Sequence, residues 1–358
     1  MKYKILLAAA LLAACTSEQQ PVEEKPVVRP VAGPAAVQMP VFDPSAEPVS
    51  QTGFNGNQNV KRFIGYEVQS KQFEQSILQD FFGRVVYQGG IIGIMDRPAT
   101  SRPWYIFRQG NADAAKIAAG RRFYGQNREA VDKAAQEYGV PAEIIVAIIG
   151  IETNYGRNMG KYRLADSLST LAFAYPRRAA FFQQELHEML LMGKEEKRDP
   201  FEFVGSYAGA MGMPQFMPSS YRKWAVDYDG DGHRDIWNSV PDVAASVANY
   251  LKAHGWKTGG RMIVPARLNP TPQILALVEE KMALKHTVGG LRAMGVEPLE
   301  AADDHEAAVL FRLETAPDVY QYYIGLNNFY AVWQYNHSRM YVAAVRDIAN
   351  GLGVGGNF

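Results

Sequence analysis

The chain has 358 residues, with 37 Lys+Arg against 37 Asp+Glu, 47% hydrophobic residues and one cysteine. Balanced charge excludes the basic excess of a general nucleic-acid binder. A lone cysteine excludes a disulfide framework or Cys-rich zinc site, and the apolar content excludes wholesale disorder.

Residues 1–14 carry Lys2 and Lys4, then an apolar run from Ile5 to Ala14. That run is too short for a spanning helix, which needs roughly 20 residues, and has the pattern of a secretory signal. It ends Leu12-Ala13-Ala14-Cys15, which resembles the bacterial lipoprotein lipobox. The resemblance implies that Cys15 is lipidated and becomes the mature N-terminus. Thr16 in place of Asp implies an outer-membrane address, with the protein anchored at its periplasmic face. An ordinary secreted protein that keeps one cysteine near its cleavage site is the alternative. Residues 15–59 read as a tether: seven prolines lie between Pro21 and Pro48, with Phe42 the only aromatic among them. Such a segment buries too little apolar surface to offset its ordering entropy, and proline keeps it extended.

From Val60 the pattern turns helical, and the length calls for two or three packed units. Residues 60–126 form an N-terminal helical region. Gln126–Tyr138 reads as an amphipathic helix stopped by Gly139, and Pro141 opens the next, where its missing N–H costs nothing. In that helix, 141–151, only Glu143 is polar, so the segment should be buried on all sides. A further helix runs from after Pro176 to about Lys194. Residues 261–314, broken by Pro265, Pro270, Pro272 and Pro298, read as a small inserted α+β subdomain. Helices return from Asn327 to about Leu352, and Gly351–Asn357 reads as a frayed tail. The fold class is mainly α.

Glu152 follows the apolar helix directly. Desolvation and the negative end of the helix dipole both disfavour its charged form, so its pKa should rise toward that of a general acid. A helix-terminal Glu hydrogen-bonded to nearby backbone is the plain alternative.

Three strings in order resemble the lytic murein transglycosylase B family. They are Ile151-Glu152-Thr153-Asn154-Tyr155-Gly156, the stretch Ser206–Ser220 (SYAGAMGMPQFMPSS), and Asn328–Asn336 (NFYAVWQYN). The resemblance covers residues 60–358. It implies a lysozyme-like helical core over 127–260 and 315–358, and cleavage of the MurNAc–GlcNAc β-1,4 bond of peptidoglycan with formation of a 1,6-anhydro-muramic end. Ordinary glycosidases need a second carboxylate, and none lies inside these strings; Asp166 is the nearest downstream acid. A lytic transglycosylase uses one Glu twice, first protonating the leaving O4 and then taking the proton of the C6 hydroxyl. Hydrolysis by Glu152 with Asp166, and a non-catalytic peptidoglycan-binding scaffold, are the rival readings.

Arg177 and Arg178 stand at a helix N-terminus, where the dipole disfavours positive charge, which hints at binding of lactyl or peptide carboxylates. Matching family positions support the same role. Ser206 suits the acetamido carbonyl or, equally, an N-cap. Gln215 resembles the family's active-site glutamine. Asn328, Tyr330, Tyr335 and Asn336 offer amides and phenols suited to sugars.

Asp227-Tyr-Asp229-Gly-Asp231-Gly-His233-Arg-Asp235 is an EF-hand-like string, with acids at loop positions 1, 3, 5 and 9 and the His233 carbonyl at 7. Asn238 replaces the bidentate Glu at position 12, and the family resemblance offers a longer loop closed by Asp242. Hard oxygen ligands select calcium over zinc, in a structural role. His187-Glu188 lacks the second His of a zinc-protease motif, and no dinucleotide-binding glycine string is present, so no organic cofactor is expected.

Overall fold

The computed structural model describes residues 39–96, 102–280, 282–353 and 358. The signal sequence, Cys15, the first part of the tether and most of the glycine-rich tail lie outside them.

The tether expected to reach residue 59 ends sooner. Phe42 is buried against Phe63, edge to face at 6.2 Å. The Gln183 side chain accepts from the Phe42 N–H at 3.0 Å and donates to its carbonyl at 2.6 Å. Helices follow at Val49–Gly56 and Gln58–Gln69, the second capped by the Asn57 side chain. Phe54, Phe63, Phe82 and Phe173 form one aromatic cluster with ring centroids 5.7–6.2 Å apart. Proline content hid this anchor: burying one Phe contributes about 1.5–3 kcal/mol, which offsets the ordering of about one or two residues, and the Gln183 hydrogen bonds add to it.

Helices dominate the rest. Arg128–Tyr138 ends at Gly139 in the left-handed conformation, and Pro141 precedes the helix Ala142–Thr153. From Ala142 to Gly150 every residue of that helix is buried. It is enclosed by Ala114–Gln126, Arg128–Tyr138, Val240–Ala253 and Arg339–Leu352, as an all-round apolar helix requires. Pro176–Arg178 is a 3₁₀ turn leading into Ala179–Glu196. Among the described residues no single helix is long and apolar enough to cross a membrane.

Two short strands, β1 (Tyr162–Arg163) and β2 (Val204–Gly205), pair antiparallel. Five more form an antiparallel sheet: β3 (Ile263–Leu268), β4 (His286–Thr287), β5 (Val296–Pro298), β6 (Ala307–Ala316) and β7 (Val319–Gly325), in the order β4-β6-β7-β3-β5. Short helices at Pro272–Val278 and Val288–Ala293 complete a unit with its own core of Val264, Leu291, Leu310 and Ile324. The unit runs past residue 314, where the sequence sets its end. The β6–β7 hairpin pairs Val309 with Gly325 and carries the sheet eleven residues further. Phe311 on β6 then stacks on Phe329 at 4.8 Å, joining the unit to the helix Asn327–Tyr335.

Candidate active site

The end of the buried helix is locked by backbone conformations that its sequence supplies. Asn154 (φ 51°) and Tyr155 (φ 61°) are both left-handed, followed by Gly156 at φ 82°. Their N–H groups close the last turn, Asn154 onto the Gly150 carbonyl and Tyr155 onto that of Ile149. The Tyr155 ring folds back between two helices. A Cβ on Gly150 would lie 2.5 Å from that ring, and one on Gly120 equally close to its hydroxyl, so both positions require glycine. The Tyr155 hydroxyl donates to the Lys116 carbonyl at 2.9 Å, while the Lys116 ammonium donates to the Gly150 carbonyl at 3.2 Å. This clamp fixes where Glu152 points.

Glu152 lies in the last helical turn. Its Oε1 accepts a 2.7 Å hydrogen bond from the Tyr341 hydroxyl, on the helix Arg339–Leu352. Burial pushes the carboxyl up to about 7, while the Tyr341 hydrogen bond and the positive Lys116 hold it from going higher. Neither of these two groups is a carboxylic acid. Tyr341 and Tyr335 have phenols raised well above their ordinary value by burial and by the Glu152 charge, so both are neutral donors. Tyr335 stacks parallel to Tyr341 at 6.3 Å and packs on Tyr250 at 4.7 Å and Phe216 at 5.9 Å, and its hydroxyl donates to the Pro214 carbonyl.

The second string forms an irregular loop held to the first, since the Thr153 hydroxyl lies 3.1 Å from the Met213 carbonyl. Ser206 accepts from the Ala210 N–H at 3.0 Å, which caps a tight turn and not a helix, and its hydroxyl hydrogen remains for a ligand. Gln215 takes φ 52°, and its amide nitrogen bonds the Met159 and Gly212 carbonyls. That leaves its Oε1 as an acceptor.

Other expected residues have different employment. Asn328 is fully buried; it accepts from the Lys257 N–H at 2.7 Å and donates to the carbonyls of Lys257 and Gly260 at 2.8 Å each. It therefore fastens a loop and is not a sugar ligand, because a buried amide so engaged has no hydrogen-bonding capacity facing a cleft. Tyr330 stacks on Trp333 at 5.4 Å, and Trp333 on His337 at 4.0 Å, forming an aromatic ladder that runs from the helix onto the segment past its end. Asn336 is exposed at that helix's end. Arg177 is exposed and paired with Asp96 at 3.1 Å, and Arg178 lies 4.1 Å from the Phe181 ring centroid. Asp166 is buried, accepting from the Val86 N–H at 2.9 Å and from Arg163 at 2.8 Å. Both of its oxygens are held, so it is no second catalytic carboxylate. Tyr341 and Lys116, which set the state of Glu152, escaped the sequence reading; the contact of Tyr341 spans 189 residues.

In the acidic loop, carboxylate oxygens of Asp227, Asp229 and Asp242 lie within 4.8 Å of one another. Asp242 stands in the first turn of Val240–Ala253, where Ser239 caps its N–H. Its own carboxylate accepts from the N–H groups of Tyr228, Asp229 and Asp235, drawing both ends of the loop together. Burial and the neighbouring Asp229 raise its pKa. Asp231 and Asp235 are not gathered with these three: Asp231 accepts from the His233 N–H, and Asp235 from those of Trp237 and Asn238. The His233 side chain is exposed. Three hard carboxylates in one place, one of them buried, fit calcium.

The family described as Transglycosylase SLT domain matches residues 55–350. The membrane-bound lytic murein transglycosylase B of Escherichia coli (strain K12) is 39% identical over 346 residues, covering 94% of this chain and 92% of that protein. The catenated lytic transglycosylase SltB1 of Pseudomonas aeruginosa superposes with a TM-score of 0.80 at 41% identity, covering 84% of this chain and 98% of that one. The Escherichia coli lytic transglycosylase Slt35, solved in complex with calcium, gives 0.75 at 39%, covering 87% and 98%. Pseudomonas aeruginosa SltB3, solved with NAG-NAM-pentapeptide, gives 0.72 at 30%, covering 83% and 80%.

Proposed function

The chain belongs to the transglycosylase SLT domain family and is a peptidoglycan lytic transglycosylase, and we propose that Glu152 alone carries its proton transfers. The observation that carries this reading is a carboxyl poised near 7 with no acidic neighbour acting on it. Protonated, Glu152 donates to the departing O4 of GlcNAc as the bond from MurNAc C1 to that oxygen breaks. The resulting carboxylate then takes the proton of the MurNAc C6 hydroxyl as that oxygen bonds to C1. One acid regenerates itself, and no water is consumed. A pKa near the working pH serves both halves of the cycle. The Tyr341 hydroxyl holds the carboxylate in place between the two steps. The substrate's 2-acetamido group supports the positive charge developing at C1.

Ser206, through its free hydroxyl hydrogen, and Gln215, through Oε1, suit the acetamido and hydroxyl groups of the glycan. Tyr335 forms the floor beneath Glu152, and Tyr330 and Asn336 extend the sugar-binding face. Arg177 and Arg178 suit carboxylates carried by the glycan's substituents. A hydrolytic reading finds no support in Asp166, whose oxygens are both engaged. Mass spectrometry of products released from sacculi tests the reaction: anhydro-muropeptides, lighter by one water than hydrolysed ends, support it, and reducing ends alone overturn it.

For the acidic loop, Asp227, Asp229 and Asp242 supply the first oxygens of a calcium site. Calcium takes 6–8 oxygens, and Asp231, Asp235 and the His233 carbonyl, which belong to the same loop but stand apart from the three, would supply the remaining ligands. The ion's role is to neutralise the aspartates and hold the loop.

Cys15 is the proposed lipid attachment, placing the protein on the periplasmic face of the outer membrane. The relative's description as membrane-bound supports this. Cys15→Ser should release the protein from the membrane fraction with its activity retained; retention there would show another anchor.

A further inference from the structure

An open depression of about 420 Å³ begins at the cap of the catalytic helix. Asn154, two residues past Glu152, lines it, together with Asn158, Lys116, Arg122 and Arg157; Asp113 is its one acid. The Asp113 carboxylate is engaged locally, accepting from the Lys116 N–H at 2.7 Å as the cap of the helix Ala114–Gln126. Arg122 and Arg157 are exposed, and neither makes an ion pair, side-chain hydrogen bond or cation–π contact among the described residues. They differ in this from Arg177, which has Asp96, and Arg178, which lies over phenyl rings. Two unpartnered guanidinium groups lining one hollow at the end of the Glu152 helix, with the Lys116 ammonium held on the Gly150 carbonyl at its edge, make a receptor for anions.

We propose that this depression is a subsite for the carboxylates of the peptide stem carried by the MurNAc residue. The proposal rests on the reading of Glu152 as the glycan-cleaving acid. Lys116 ties the two places together, since it lines the hollow and acts on the Glu152 charge. Reach is sufficient: a five-residue stem extends about 17 Å from the sugar, well beyond the distance across such a hollow. A pentapeptide stem ends in a carboxylate, and planar guanidinium groups bind carboxylates through paired hydrogen bonds. Asn154 and Asn158 supply amides for the stem's backbone. The subsite therefore selects glycan whose stems are charged over glycan whose stems are blocked.

The test is calorimetric titration of a tetrasaccharide bearing pentapeptide stems, and of the same compound with its stem carboxylates amidated. Both are titrated into Glu152→Gln, to prevent turnover, with and without Arg122→Gln and Arg157→Gln. Both arginines are exposed, so the folded state should survive, and thermal melts check this. The double change should raise Kd for the charged compound about tenfold, while leaving that of the amidated one within about twofold. Unchanged affinity for the charged compound, or equal weakening of both, overturns the subsite. The reaction is scored separately, by anhydro product from the amidated compound with Glu152 present. Absence of that product defeats the reading of Glu152, whereas a charge-blind Kd defeats only the subsite.

Discussion

The Tyr341 hydroxyl donates to Glu152 Oε1 across 2.7 Å, and this bond opposes the burial that raises the carboxyl. A hydrogen bond to a charged group contributes about 1.5–3 kcal/mol, and about 1.4 kcal/mol corresponds to one pKa unit. Removing it with Tyr341→Phe keeps the ring in its buried slot and raises the Glu152 pKa by about one unit. Because the first step needs the protonated acid, the alkaline limb of the kcat/KM profile should move up by that amount. An unmoved limb would show that Tyr341 does not govern the acid.

Glu152→Gln separates catalysis from stability. Turnover should fall by about 10²–10⁴-fold, the usual contribution of general acid–base catalysis. The stability effect has an unusual sign. A carboxyl raised from 4.5 to about 7 binds its proton more tightly when folded, so stability declines as pH rises through that window. Glutamine has no such decline. The variant should therefore melt higher than the native protein at pH 8, by an amount equivalent to at most about 3 kcal/mol, and show no such advantage at pH 4.5. Melting curves at the two pH values check this, and equal differences at both would contradict a raised pKa.

What the sequence made legible follows from the range of the interaction. The raised carboxyl of Glu152 was readable because the apolar run 142–150 lies directly before it, whereas Asp242 was reached only through the family resemblance, since Asn238 stands at position 12 of the loop. Asn328 was misread because an amide that fastens backbone and one that binds sugar are the same chemistry; only burial distinguishes them. Phe42 was hidden among prolines, since composition averages over the one residue that anchors the segment. Tyr341 carries no local sign of its partner, which the fold brings from 189 residues away.

Asn328→Ala offers a direct contrast between these two amide roles. It leaves the Lys257 N–H and the Lys257 and Gly260 carbonyls without their partner. Buried polar groups so orphaned cost about 1–3 kcal/mol each and do not add fully, so a loss of about 2–4 kcal/mol is expected. Denaturant titration measures it. At a temperature where the variant is folded, its KM for glycan should match the native value; a raised KM with unchanged stability would return Asn328 to the sugar site.

Calcium should stabilise the folded protein without entering the chemistry. The Asp227, Asp229 and Asp242 oxygens crowd within 4.8 Å, and Asp242 is fully buried, so their charges repel one another unless a cation intervenes. A ligand that binds only the folded state stabilises by about 2.7 kcal/mol at a hundredfold excess over Kd. Added calcium should thus raise the Tm, and magnesium should do so less, because its small octahedral shell suits the loop poorly. Asp229→Ala should abolish the calcium shift while leaving the Tyr341–Glu152 pair intact. Asp242→Asn is the more severe change, because that carboxylate also accepts three backbone N–H groups that draw the loop together. Chelated protein should keep turning over glycan at low temperature, where the loop's contribution to stability is not limiting. No calcium-dependent shift would leave the loop an acidic turn organised by Asp242. Loss of turnover on chelation with melting unchanged would tie the ion to catalysis, even though neither of the groups acting on the Glu152 carboxyl belongs to the loop.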